Sequence, residues 1–447
     1  MGPYRSGRPD RSGQGRDHVT MTTDRSGSPG GPVAGESAHG GPPEPHPLLA
    51  RLDSPLATYY LLLGAIGALL GIGLIMVLSA SSVTSYQKSG SLFGTGLNQA
   101  KFAVLGVIVA VIASRMPTSL WRRLATPSLI LALMLQLLVF TPLGLSDKGN
   151  RNWLALGSTL TLQPSEFGKL AIILYGAHIL AVKRRLLGDW RHAVVPVVVP
   201  AGLGIIGLVM LGNDLGTCMV LIGILFSVLW TSGISAKLFG VSAVIGGLGV
   251  LVLTLTSSNR MSRIASMRGC GDDPSAHGGL CWQSVHGQWA LAQGGLGGVG
   301  LGQSREKWGW LPEQHNDYIF AIIGEELGIW GTFTILLLVA MITFACYRVI
   351  LHTDDMFVRM ATAGVMGWFV VQSVVNIGAV VGLLPVIGVP LPLVSAGGSA
   401  LVTTLLGLGM VVSFARSEPA CRRALAERPR VLARSLSIMS PTRKRSR

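Results

Sequence analysis

The chain has 447 residues, of which 49% are apolar and only 13% are charged. Soluble globular domains carry about 25% charged residues, so this composition excludes a soluble enzyme and indicates an integral membrane protein. Lys and Arg outnumber Asp and Glu by 36 to 21. The basic residues lie in short runs between apolar stretches, which is typical of loops at an anionic membrane surface and not of nucleic-acid binding.

The two ends of the chain differ in composition from its centre. Residues 1–54 consist mainly of Gly, Pro, Ser, Arg and Asp, and such a segment buries too little apolar surface to offset its chain entropy. We predict a disordered, basic cytoplasmic tail there. A second basic cytoplasmic tail is predicted over 416–447. The region between them, 55–415, is predicted to be one membrane domain.

Ten apolar runs in this domain are long enough to cross about 30 Å of hydrocarbon. The sequence therefore predicts an all-α integral membrane protein with about ten transmembrane helices. Basic residues concentrate in both tails and in clusters such as Arg122 and Arg123. By the positive-inside rule, both termini are predicted to be cytoplasmic. The runs cover 56–80, 98–115, 125–143, 165–182, 194–211, 215–232, 237–257, 318–346, 357–383 and 392–415.

One large extracellular loop, 258–317, is predicted between helices 7 and 8. Loops longer than about 15 residues are usually functional or disordered. Cys270 and Cys281 lie in this loop, on the oxidising side of the membrane, and we predict a disulfide between them, with two free thiols as the alternative. Its run 295–300 has the spacing of a dinucleotide-binding fingerprint, but no strand precedes it, so a flexible or close-packed loop is the better interpretation.

The segment before the fourth run carries several candidate functional residues. Pro164 is a start signal for a helix. Glu166 and Lys169 are three residues apart and share a helix face, which predicts an ion pair about one turn into the membrane. Such residues are costly in lipid and should face a polar cavity; the alternative is a pair that only locks two helices together. Asp214, at another helix junction, is either an N-cap or a functional carboxylate.

Asp317 is the last polar residue before the eighth run, which places it at the outer mouth of a helix. At 100° per residue, Ala321, Gly324 and Gly328 lie within about 40° of it. This small-residue face predicts a groove beneath the carboxylate, where a base would meet a lipid-borne substrate. A simple N-cap is the alternative. His315, nearby, is either a second acid or base or a surface residue.

These motifs together resemble the SEDS family of bacterial cell-wall polymerases, which includes FtsW, RodA and SpoVE. The resemblance extends over about 56–414. It departs from the family at Asn152, which separates Arg151 from Trp153, and at Asn213, where the family often has Pro. The motifs are NRNWL (150–154), QPSEFGK (163–169), NDLGT (213–217), GLGQS (300–304), LPE (311–313), HNDYIF (315–320), GEELG (324–328) and LPLVSAGGS (391–399).

The resemblance implies a ten-helix glycosyltransferase that polymerises lipid II and releases undecaprenyl pyrophosphate. Asp317 stands where the family has an essential Asp and is our predicted catalytic base. No resident cofactor is certain; Lys169, Arg151 or a divalent cation would neutralise the leaving pyrophosphate. The predicted substrate-binding residues are Arg151, Trp153, Glu166, Lys169, Asp214, His315 and Ser395.

Ala396, where elongation-type members tend to have Tyr, favours the division branch and thus a plasma-membrane protein at the septum. The resemblance also implies two kinds of partner, a class B penicillin-binding protein transpeptidase and other division proteins. A RodA-like elongation polymerase, a lipid II flippase and a non-catalytic scaffold remain as alternatives.

Overall fold

The computed structural model describes residues 56–147, 150–157, 160–255 and 281–427. The predicted tail 1–54 lies outside these ranges, as does the part of the second predicted tail beyond residue 427. Cys270 also lies outside them. The described part of the second predicted tail contains the end of the helix Gly398–Ser417 and a short helix, Pro419–Glu427.

Helices dominate the described residues, and a small sheet interrupts them. The helices of nine or more residues are α1 (Ala57–Ser89), α2 (Gly94–Ala113), α3 (Thr118–Leu138), α4 (Pro164–Val182), α5 (Val195–Leu211), α6 (Leu215–Thr231), α7 (Ala236–Leu255), α8 (Trp282–Gly294), α9 (Ile319–His352), α10 (Met356–Val380), α11 (Gly398–Ser417) and α12 (Pro419–Glu427). The strands are β1 (Gly144–Asp147), β2 (Asn150–Leu156) and β3 (Leu160–Leu162).

Helical segments occupy all ten predicted apolar runs. Among the described residues, six helices are long and apolar enough to cross a membrane: α1, α2, α4, α9, α10 and α11. α5 and α6 are apolar but shorter, and the middle of α5, Val198–Ile206, is π-helical. A mostly helical membrane protein is therefore confirmed, while the count of ten spans stays a prediction.

The spanning helices differ in how much of their surface is covered by protein. In the most apolar window of α10, 72% of residues are buried, and in α11 78%, against 22% in α2. Apolar side chains such as Val104 and Ile112 on α2 are exposed, as expected for a helix that faces lipid. α10 and α11 lie in the interior, so polar groups on them need partners within the protein.

The sheet is a departure from the all-α prediction. β2 pairs antiparallel with both β1 and β3, so the strand order is β1-β2-β3. The backbone N–H of Arg151 also donates to the carbonyl oxygen of Gly212, 2.9 Å away, which ties the sheet to the end of α5. Strands of three to seven residues give little periodic signal in a sequence, and this loop was therefore not recognised as a sheet.

α9 is broken at Gly328, whose φ of 66° and ψ of −159° are not helical. The glycine-rich run 295–300 fills the break with its own backbone. The N–H of Ile329 donates to the oxygen of Gly295 (3.0 Å), and the N–H of Val299 donates to the oxygen of Glu325 (2.9 Å). The run is thus a close-packed loop, one of the two forms predicted for it.

The small-residue face below Asp317 is covered by protein at Gly324 and Gly328, so the prediction of an open groove along this face was wrong. Gly324, on the small-residue face, packs against the side chain of Leu291 from α8, and a Cβ atom at Gly324 would overlap it. Gly328 is covered by the backbone of Leu296 and Gly298. The small residues therefore admit the neighbouring α8 and the glycine-rich loop, because close backbone approach requires the missing side chains.

Gly298 offers a direct test of this packing. It has a φ of +75°, and a Cβ there would overlap the carbonyl oxygen of Glu326. We expect Gly298→Ala to lower the free energy of unfolding by about 1–3 kcal/mol, since it adds backbone strain and overpacking. The control is Gly297→Ala, because a Cβ at Gly297 has nothing within 4 Å. Equal thermal midpoints for the two purified variants would contradict the packing argument.

Candidate functional site

Asp317 lies in the turn that leads into α9, two residues before the helix begins at Ile319. Its backbone is held from two other parts of the chain. The Nδ2 of Asn376, on α10, donates to the carbonyl oxygen of Asp317 at 2.8 Å. The Oγ of Ser395 donates to the carbonyl oxygen of Asn316 at 2.6 Å. The backbone position of Asp317 therefore depends on α10 and on the segment before α11.

Ser395 connects this segment to several neighbours. Its Oγ accepts a hydrogen bond from the N–H of Leu391 (2.8 Å), and its carbonyl oxygen accepts one from Gln99 Nε2 (3.2 Å). The next residue, Ala396, donates its N–H to the carbonyl oxygen of His315 (2.9 Å). Ser395 was predicted to bind substrate, and the structure places it against the turn that carries Asp317. Its hydroxyl group is engaged there with the protein backbone.

His315 is part of the same turn. Its Nδ1 is buried and has no hydrogen-bond partner among the described residues. Burial lowers the pKa of His315 below the usual 6.5; the positive charge of Lys88 lowers it further and the carboxylate of Glu313 opposes the shift. The imidazole is therefore neutral at neutral pH, and its Nδ1 either donates or accepts a hydrogen bond according to the tautomer.

We expect this lowered pKa to make stability depend on pH. At a pH between 6.5 and the folded-state value, the unfolded chain binds a proton that the folded chain excludes, so the free energy of unfolding falls as pH falls. His315→Gln should flatten this decline. Thermal midpoints measured from about pH 7.5 to 5.5 check the slope, with His352→Gln, at an exposed histidine, as the control. An unchanged slope in His315→Gln would contradict the assignment.

The predicted ion pair of Glu166 and Lys169 is present, and both residues are 2% exposed. Lys169 Nζ lies 2.7 Å from Glu166 Oε1 and donates to Gln372 Oε1 at 3.0 Å. It also lies over the ring of Trp368, 5.2 Å from the centroid. Thr403 Oγ1 donates to Glu166 Oε2 at 3.4 Å. The pair thus joins α4 to α10 and α11.

Gln372 and Asn376 are two residues of this region that the sequence predictions missed. The Nε2 of Gln372 donates to the carbonyl oxygen of Pro390, and the Nδ2 of Asn376 donates to that of Val389, both at 2.8 Å. A signal was available, because polar amides inside an apolar run usually have a functional or structural partner. Their spacing of four residues places them on one face of α10.

Asp214 caps the N-terminus of α6 and also accepts hydrogen bonds from β2 and from the residue before α4. Its side chain accepts hydrogen bonds from the N–H of Thr217 (3.0 Å), from Thr217 Oγ1 (2.8 Å), from Asn152 Nδ2 (2.8 Å) and from Gln163 Nε2 (3.3 Å). The capping alternative is therefore confirmed. This carboxylate fixes the relative positions of β2 and of the residue that precedes α4.

Arg151 and Trp153 lie on β2 and are half-buried. A guanidinium nitrogen of Arg151 donates to the carbonyl oxygen of Thr141 at 2.8 Å. Trp153 is paired in register with Leu145 of β1. β2 therefore carries a cationic and an aromatic residue, in a sheet whose strand β3 ends just before α4 begins.

Two further carboxylates are buried in α9, at Glu325 and Glu326. Glu325 accepts from Ser304 Oγ at 2.5 Å, while Glu326 accepts from Ser79 Oγ at 2.7 Å and from Lys307 Nζ at 3.2 Å. These contacts join α9 to α1 and to the loop before α9. Each buried carboxylate is therefore satisfied, which gives them a structural role in holding the loop that leads to Asp317.

Cys281 is disulfide-bonded, while Cys346 and Cys421 are free thiols. Because Cys270 lies outside the described residues, its pairing with Cys281 stays a prediction. In the described ranges, no group of three or more His, Cys, Asp or Glu side chains is arranged to hold a metal ion.

Comparisons with known proteins bear on this arrangement. The family of cell cycle proteins that comprises FtsW, RodA and SpoVE matches residues 60–419. The probable peptidoglycan glycosyltransferase FtsW of Mycobacterium tuberculosis is 35% identical over 377 residues, which cover 84% of this chain and 71% of that protein. Stage V sporulation protein E of Bacillus subtilis is 35% identical over 353 residues, 78% of this chain and 94% of that protein.

Solved structures show the same fold. A chain of a peptidoglycan synthase complex that coordinates polymerization and crosslinking is 25% identical, with a TM-score of 0.64, covering 80% of this chain and 97% of that one. The rod shape determining protein RodA of Thermus thermophilus is also 25% identical, with a TM-score of 0.59, covering 80% and 96%. The match over 60–419 confirms the resemblance, and the chain belongs to the FtsW, RodA and SpoVE family, the SEDS proteins.

Proposed function

We propose that this multi-pass membrane protein is a peptidoglycan glycosyltransferase that polymerises lipid II into glycan strands and releases undecaprenyl pyrophosphate. Its family and its curated relatives named as peptidoglycan glycosyltransferases support glycosyl transfer. The observation that carries the proposal is the backbone clamp on Asn316 and Asp317 from Asn376 and Ser395. Such a clamp fixes the backbone that carries the Asp317 carboxylate before substrate binds, and a general base must lie within hydrogen-bonding reach of the proton that it removes.

In the proposed reaction, a hydroxyl group of the lipid II acceptor sugar attacks the anomeric carbon of the growing chain. The new glycosidic C–O bond forms as the bond to undecaprenyl pyrophosphate breaks, with inversion at that carbon. Asp317 takes the hydroxyl proton. A neutral sugar hydroxyl is a weak nucleophile, and a positioned base typically contributes about 10²–10⁴-fold.

The leaving pyrophosphate develops negative charge that a nearby cation would stabilise. Lys169 is already paired with Glu166 and fully buried, so its charge is largely balanced within the protein. We therefore assign the direct contact to Arg151, and we assign to Lys169 the role of holding the interior polar network. Trp153 and His315 complete the proposed substrate contacts, while Asp214 and Ser395 position them.

We further propose ten spans with both termini in the cytoplasm and the 258–317 loop outside, at the division septum of the plasma membrane. The division branch is supported by the naming of curated relatives as FtsW and by Ala396. The Arg122–Asp355 pair and the nearby Arg123 fit a cytoplasmic surface in this topology.

The proposed partner is a class B penicillin-binding protein transpeptidase within an assembly of division proteins. The structural likeness to a chain of a complex that coordinates polymerization and crosslinking supports a partner of this kind. We expect the two proteins to co-purify in mild detergent and the complex to polymerise faster, because the transpeptidase consumes the strand made here. A stable complex without acceleration would contradict activation by the partner.

Purified protein in liposomes with lipid II tests the function itself. Glycan strands longer than the disaccharide, resolved by electrophoresis, are the expected product. Transfer of fluorescent lipid II between leaflets without strand formation would instead support the flippase alternative. Absence of both activities, in protein that folds and binds its partner, would favour the scaffold.

A further inference from the structure

We infer that Asn376 is a positioning residue for the reaction and that Gln372 links it to the buried Lys169. This inference rests on the proposed role of Asp317 as the base. Neither amide was identified from the sequence, and both lie on α10, outside the turn that carries the base. Together they form a chain of side-chain contacts from the interior ion pair to the backbone of Asp317.

The first link is at Gln372, which is 1% exposed. Its Oε1 accepts from Lys169 Nζ (3.0 Å) and from Trp368 Nε1 (2.7 Å). Its Nε2 donates to the carbonyl oxygen of Pro390 (2.8 Å). Because two donors point at the oxygen and a carbonyl accepts from the nitrogen, the amide has one orientation only. Gln372 thus relates the position of Lys169 to the segment that contains Pro390.

The second link is at Asn376, which is 3% exposed. Its Nδ2 donates to two carbonyl oxygens, those of Asp317 and Val389, each at 2.8 Å. Both protons of the amide group are therefore used, and its orientation is fixed in turn. Asn376 therefore connects the turn before α9 to Val389. Gln372 is bonded to the next residue, Pro390, so both amides hold the same segment, 389–390.

Gln372, Asn376 and the backbone of 389–390 form a closed set of contacts, which we call the frame. The two amides lie four positions apart on one face of α10, and they donate to the carbonyl oxygens of two adjacent residues, Pro390 and Val389. A shift of Lys169 toward or away from α10 is therefore transmitted to Pro390 and Val389, and from there to Asp317. The Oδ1 of Asn376 is buried and has no hydrogen-bond donor among the described residues.

Such a frame acts on catalysis through geometry. A general base is effective only within hydrogen-bonding reach of the proton that it removes, and displacement by about 1 Å at a distance from the chemistry can cost about 100-fold in rate. Loss of Asn376 should leave the substrate-binding surfaces in place and misplace the carboxylate. The effect is thus expected in kcat more than in KM.

The experiment compares Asn376→Ala with Ser373→Ala in the full-length protein reconstituted with lipid II. Ser373 is equally buried on α10, and its Oγ bonds to Phe369 within the same helix. We expect Asn376→Ala to lower kcat by about 10–100-fold, with KM within about threefold, and to shift the acid limb of the pH profile. Ser373→Ala should match wild type. Equal kcat values and pH profiles in the two folded variants would overturn the inference.

Gln372→Ala and the double variant test the link. If the two amides act as one frame, the double variant loses less activity than the product of the two single losses. Independent, multiplicative losses would overturn the coupling. If Asn376→Ala does not fold, Asn376→Leu, which keeps the side-chain volume and removes both donors, is judged by the same kcat criterion. An inactive wild-type protein would count against the proposed function itself, whereas an active wild type with an unaffected Asn376 variant would count only against this inference.

Discussion

Asp317→Asn is expected to abolish glycan polymerisation while leaving the protein folded. The amide has nearly the shape of the carboxylate, and the clamp from Asn376 acts on the backbone oxygen of residue 317, which the substitution keeps. The lost function is proton removal from the acceptor hydroxyl, worth about 10²–10⁴-fold. The rate of strand formation by purified protein measures the loss.

The control is Asp189→Asn, at an exposed carboxylate outside the proposed site. It should keep the wild-type rate. Thermal midpoints of both variants should lie close to that of wild type, which separates chemistry from folding. More than a tenth of the wild-type rate in Asp317→Asn would refute its assignment as the base.

Lys169→Met is expected to cause the largest loss of stability. It leaves Glu166 as an uncompensated charge at a site only 2% exposed, and breaking a buried pair by removing one partner costs about 3–5 kcal/mol. It also removes the donor to Gln372. We therefore expect a marked fall in the thermal midpoint, together with reduced polymerase activity in the protein that remains folded.

Two comparisons make this expectation specific. Adding Glu166→Gln to Lys169→Met removes the unpaired buried charge. The double variant should recover much of the thermal midpoint but not the polymerase activity. Arg122→Ala breaks an exposed ion pair, with side chains 43% and 35% exposed, and should change stability by no more than about 1 kcal/mol. If Lys169→Met lowers only the midpoint and its folded fraction is fully active, the pair is a structural lock between helices.

Several features followed from the sequence because they depend on residues close together in the chain. Apolar runs predict helices, since burial in lipid depends on the length and hydropathy of one segment. Glu166 and Lys169 meet because a three-residue separation on a helix brings side chains together. The capping bond from the N–H of Thr217 to Asp214 lies within one turn. These contacts require no knowledge of the rest of the fold.

Tertiary structure decided the surroundings of Asp317. Asn376 and Asp317 are 59 residues apart, and Ser395 and Asn316 are 79 apart. The small-residue face predicted an open groove because small side chains permit either an empty space or a close approach by another backbone. The close approach is the one observed, because α8 and the glycine-rich loop pack against this face and against the break at Gly328. Helical periodicity specifies which residues share a face, but the element that covers that face is determined by contacts between distant parts of the chain.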